Sequence, residues 1–213
     1  ELRAGLEVDG ILHVGRSIRA GGGIRAGGSI TVGEDMRAGA SIHSGDQLNV
    51  GGHLRCDWGI ETEKSLACGG DLRASWDLVA KGRITIRGSA MIGQDLIAGS
   101  SVECDKNLRI GGHLLGTDFV RTGHGIAVGG AIEGVTHLEA GWGIRAGLHI
   151  HARGTIKAGE SLAAGEDICA GDGYGVFAGL NVQEQTWDVS GQVWARQMPA
   201  GLRSGRWAGP ALV

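Results

Sequence analysis

Reading every sixth residue from Leu6 to Ile168 returns twenty-eight apolar side chains without exception. In a chain that is 42% hydrophobic, chance gives such a run odds on the order of 10⁻¹¹, so the period decides the fold class. Two residues after each large apolar position stands a smaller one, usually Ala, Val, Cys, Ser or Thr, and Gly follows it in 18 of the 28 units. Large, exposed, small is the signature of a three-residue strand, because alternate side chains share a face. The Gly is expected to supply the backbone freedom of a sharp corner. Strand and corner every six residues predict a coiling β-solenoid.

The size of the small residue fixes the number of sides. At a spacing of 18, one series reads Val14, Val32, Val50, Cys68, Ile86, Cys104, Thr122, and another Ala26, Ser44, Thr62, Ala80, Ala98, Gly116, Gly134, Ala152, Ala170. The first is mostly larger and the second smaller, so faces keep their character every third unit. The sequence therefore predicts an all-β fold: a single-stranded, triangular, parallel β-solenoid of 18 residues per coil, roughly nine to ten coils, over residues 1–182. The absence of Pro before Pro199 fits strands hydrogen-bonded on both sides. At the N-terminus Leu2-Arg3-Ala4-Gly5 repeats the motif four residues early, which predicts one shortened corner. After Gly171 the pattern loosens; Tyr174–Val176 and Leu180–Val182 are candidate last strands. Residues 183–213, with Trp187, Trp194, Trp207 and both prolines, read as an irregular cap or a docking tail.

Composition narrows the rest. The 42 Gly come with only 2 Pro, which excludes collagen. A net charge of −3 argues against a globally basic nucleic-acid binder but not against a local basic stripe. No apolar run reaches membrane-spanning length and no signal peptide is visible. Cys56, Cys68 and Cys104 fall on inward small positions and Cys169 outward, a usage that fits a reducing, cytoplasmic setting without disulfides.

Units such as Ile18-Arg19-Ala20-Gly21 and Ile30-Thr31-Val32-Gly33 resemble hexapeptide-repeat β-solenoids, among them the left-handed β-helix acyltransferases and bactofilin-like polymers. The resemblance covers about residues 2–182 and speaks to architecture. The acyltransferase repeat carries the large aliphatic directly before its Gly-like position and the small residue two earlier; here that order is reversed. An acyltransferase would also need an inserted loop or subunit groove bearing a catalytic His, and the register runs from Leu6 to Ile168 without insertion.

The outward positions hold the functional candidates. One face reads Arg19, Arg37, Arg55, Arg73, Met91, Arg109, Ala127, Arg145, Ala163. The arginines are either a polyanion or nucleic-acid track, or a solvated face paired to corner acids such as Asp35, Asp57 and Asp71. Trp58 and Trp76 stack on one corner, Val79, Ile97 and Leu115 line the next face, and Met91 stands at the same height. Together they predict an apolar patch, rimmed by Arg55, Arg73 and Arg109, either a protein or homodimer interface or a surface covered by the C-terminal tail. The eight histidines scatter over faces and corners, and His149-x-His151 is too little for a metal site. Glu61, Glu133 and Glu139 face outward with no evident partner. No catalytic residue, metal or cofactor is expected. The reading is a non-enzymatic structural or interaction module, with a polyanion binder and an end-to-end polymer as the alternatives.

Overall fold

A computed structural model describes residues 2–116 and 118–211. Glu1 and residues 212–213, at the outer bounds of the two expected segments, lie outside the described residues. Every hexapeptide unit from Leu6–Val8 to Ile168–Cys169 forms a strand beginning at its large apolar residue. Strand n pairs in parallel with strand n + 3, so Leu6 lies beside Ile24 and Ile60 beside Leu78. Three sheets result, of ten, eleven and eleven strands among the described residues. They are called face 1 (from Leu6–Val8), face 2 (from Leu12–Val14) and face 3 (from Ile18–Ala20). The protein is a triangular parallel β-solenoid of hexapeptide repeats with about 11 coils, a rod roughly 50 Å long at about 4.8 Å per coil.

The core follows from the repeat. From Ile24 on, each large apolar residue points into the prism and is almost fully buried, and most small residues join it. Inward Ser44, Cys56 and Thr62 donate to carbonyls of the corners; Ser44 Oγ, for example, lies 3.1 Å from the Gly28 oxygen and 3.0 Å from that of Gln47. Polar groups are thus tolerated beside a corner, where carbonyl oxygens with a spare lone pair are within reach.

Four sequence expectations need correction. First, the corner Gly of the repeat does not adopt left-handed φ; among the described residues positive φ occurs only at Gly134, Gly173, Gly179, Gly205 and Gly209. Close stacking is the reason for it instead: a Cβ on Gly51 would lie 2.1 Å from the carbonyl oxygen of Gly33 in the coil before. Second, Leu2 bridges Ala20, so it occupies a small position in the regular 18-residue register and no corner is shortened. Third, Gly134 (φ +74°) is a bulge that hands its inward place to Val135, which pairs with Ala152 and fills the space left by Gly116.

Fourth, Leu180–Val182 is not a strand, and the tail does more than cover the end. Val176–Phe177, Gln192–Trp194, Leu202–Ser204 and Arg206–Gly209 extend faces 2 and 3, while face 1 stops at Ile168–Cys169. That extension takes the coil count past nine to ten. It inserts Val176 and Val193 into the core and half-buries Leu202. Among the described residues no helix is long and apolar enough to cross a membrane.

Candidate interaction surfaces

The residues of the predicted apolar patch all stand outward, Trp58, Trp76, Met91 and Ile97 exposed and Val79 and Leu115 partly so. Val79, Ile97 and Leu115 are in register on three adjacent strands of face 1. On the neighbouring corner Trp58 and Trp76 stack with ring centroids 6.4 Å apart and planes at 26°. Met91 lies between Arg73 and Arg109 on face 3. Trp58 and Trp76 are 60% and 58% exposed, and Ile97 39%, so the tail does not fold over them. Its strands pair with the last coils, Val193 against Leu162 and Val176 against Ile156.

Outward Glu residues have partners one coil away, which sequence proximity could not show. Glu61 lies 3.2 Å from His43, Glu139 3.2 Å from Arg121, and Glu133 2.6 Å from His149. Stacking at an 18-residue period sets the first two pairs side by side, and Glu133 reaches His149, 16 residues on, at the adjoining corner.

The arginine column divides into two halves. Asp57 takes both Arg37 (4.0 Å) and Arg55 (3.3 Å), and Arg19 is not free. Asp35 and Asp71 do not serve the arginines; each accepts a backbone N–H from the coil above, at His53 and Ser89, both at 2.8 Å. Arg73, Arg109 and Arg145 have no carboxylate partner among the described residues.

Those aspartates belong to a device that the sequence reading missed. At the last residue before a strand, the side chain bonds the backbone N–H of its counterpart one coil on. Asp35 accepts from His53, His53 Nδ1 from Asp71 (3.0 Å), and Asp71 from Ser89. On the next corner Asp95 accepts from His113 (2.6 Å) and His113 Nδ1 from Ala131 (3.1 Å); His137 Nδ1 does the same for Thr155 (3.0 Å). These imidazoles must be neutral with the proton on Nε2, since a protonated ring accepts nothing. The signal was present in the sequence. A Gly stands 17 residues after each of these six, at Gly52, Gly70, Gly88, Gly112, Gly130 and Gly154, where a Cβ would collide with the acceptor side chain; Asp77, which accepts from the Asp95 N–H in the same way, has Gln94 there instead. His113→Asn is expected to keep the bond and the stability, and His113→Ala to lose about 1 kcal/mol, read from equilibrium unfolding in denaturant. Equal losses would show that the ring contributes packing alone.

His149 and His151, separated in the sequence reading, are stacked with centroids 4.2 Å apart. His149 also lies 3.4 Å from Glu166. Partial burial and the neighbouring His149 lower the His151 pKa. No group of three or more potential ligands able to hold a metal exists among the described residues.

All four cysteines are free. Burial pushes the Cys56 thiol up to about 11 and raises Cys68 and Cys104. An alkylating reagent at neutral pH is expected to modify only exposed Cys169 in the folded protein. That reaction should be slow, because partial burial and Asp167 raise its pKa. All four thiols should react after unfolding, as counted by intact mass; rapid labelling of Cys56 in the native state would contradict the dry core.

No protein-family model, curated protein or solved structure matches this chain.

Proposed function

We propose that this solenoid is a non-enzymatic self-association module that pairs side by side with a second copy through the apolar patch of face 1. The observation that carries the reading is the uninterrupted row Val79, Ile97, Leu115 beside the stacked Trp58 and Trp76, left uncovered by the chain's own tail. A contiguous apolar surface of this kind is costly to leave in water.

The order of residues favours a second copy over a different partner. Along face 1 the column runs Glu61, Val79, Ile97, Leu115, Glu133, and is close to palindromic about Ile97. A two-fold axis through Ile97 lays Val79 against Leu115 of the second copy, the self-complementarity an isologous interface needs. The same operation brings Glu61 towards Glu133. Each of those carboxylates already lies against an imidazole of its own chain, His43 or His149. Trp58 and Trp76, with Arg73 at the rim, supply the residue types on which interface energy concentrates.

The test is the solution mass by light scattering at low and high salt. A dimer that survives salt supports the reading. A monomer at every salt and concentration rejects self-association and leaves the patch to a different protein.

A further inference from the structure

We propose that the C-terminal half of face 3 binds single-stranded nucleic acid, along a track from Lys106 to Trp194. This track meets the apolar patch only at Arg109, on the rim of both, and does not depend on dimerisation.

The outward column there is Arg109, Ala127, Arg145, Ala163, Trp194, all in register on successive strands. Strands about 4.8 Å apart set the two arginines, and then Trp194, roughly 10 Å from one another. Ala127 and Ala163 form a low floor between them, and the resulting groove of about 380 Å³ also has Asn107 and Ser161 on its wall. At its edge, Lys106, His124 and Trp142 follow one another on one corner. The His124 and Trp142 rings are stacked at 4.2 Å with planes 5° apart, and Trp142 is 45% exposed. The opposite edge begins with Gly111, Gly129, Gly147 and Gly165; exposed Leu148 follows the third, and Glu166, paired with Arg196 and His149, follows the last.

Charge and shape point to the same ligand. Lys106, Arg109 and Arg145 have no carboxylate partner among the described residues, whereas Arg37 and Arg55 at the other end of the same face share Asp57. An unneutralised row of cations attracts a phosphodiester backbone. Planar rings on both sides of Arg145 offer faces on which unpaired bases can stack, the pairing of features that binds single strands. A polyanion lacking bases would use the arginines and leave Trp142 and Trp194 idle. A duplex would hide its bases from them.

The experiment is fluorescence anisotropy of a labelled oligothymidylate titrated with the full chain at about 50 mM salt and again at about 200 mM. Binding is expected, weakening at the higher salt. Arg109→Gln with Arg145→Gln should weaken it at least about ten-fold, and Trp142→Ala by about five-fold or more, while Trp142→Phe should largely restore it. Arg37→Gln with Arg55→Gln serves as the matched control and should change little. The inference is overturned by no binding at the lower salt. It is equally overturned by polyphosphate competing as well as the oligonucleotide per charge, or by the control pair losing as much as the groove pair.

Discussion

Ile97→Asp is expected to convert a salt-resistant dimer into a monomer while leaving the fold intact. The side chain points outward from the middle strand of the patch and is 39% exposed, so the substitution removes nothing from the core. The strand's inward residues, Leu96 and Ala98, remain buried as before. In the two-fold arrangement Ile97 meets its own counterpart, so the variant sets two carboxylates face to face in an interface emptied of water. Like-charge juxtaposition of that kind costs several kcal/mol, and about 3 kcal/mol is already more than a hundred-fold in affinity. Trp76→Ala should weaken the dimer too, through lost burial, and by less. Salt separates this from an electrostatic contact, since apolar burial is not screened. A variant that still dimerises with unchanged affinity would place the contact elsewhere, and unchanged thermal unfolding of its monomer is the control for folding.

The parts of this molecule that the sequence made legible are those where one rule acts twenty-eight times. Each unit places a large residue inward, the next outward and a small one inward again, and a single missed beat would rotate every later side chain out of the core. Register is therefore written redundantly, and Trp58, Trp76, Val79, Ile97 and Leu115 could be gathered into one patch by counting in eighteens. Charge pairs between coils were legible by the same arithmetic, since Glu61 follows His43 by 18 residues, but only once the outward columns are read for partners as well as for composition.

What escaped the sequence reading lies where another constraint replaces the period. Backbone freedom is the usual reason for a corner Gly. In a stacked solenoid the scarce quantity is the space between coils, and the missing Cβ matters more than φ. The histidines look dispersed when each is judged within its own hexapeptide, while His53 and His113 act on the coil above. After Gly171 the large inward residues fall at Val176, Val193 and Leu202, following Ile168, at intervals that no fixed period describes. Gly179, at φ +73° with Trp187 packed against it, turns the chain out just where Leu180–Val182 imitates another unit. The chain leaves the prism for a short helical segment at Glu184–Ser190 and returns at Gln192.

Leu78→Ala is expected to cost about 2–5 kcal/mol of stability, the range for a cavity in a core that cannot collapse, whereas Leu6→Ala should cost only about 1 kcal/mol. The two leucines have the same role in the repeat and differ in their neighbours. Leu78 is fully buried, with Ile60 packed on one side and Leu96 on the other. Leu6 has Ile24 on one side and is only partly buried. In a solenoid each coil is stabilised by the coils it touches, so a lesion in the middle weakens two interfaces and one in the first coil a single interface. Leu78 also lies on the strand that carries Val79, one residue from the patch, and two residues after Trp76. Its truncation should therefore weaken the dimer as well as the fold, a coupling that Leu6→Ala should not show. Denaturant unfolding and light scattering on the two variants measure both effects. Equal losses of stability would mean that the first coil is as dry in solution as the coil around Leu78, and that its apolar edge is covered there by another surface.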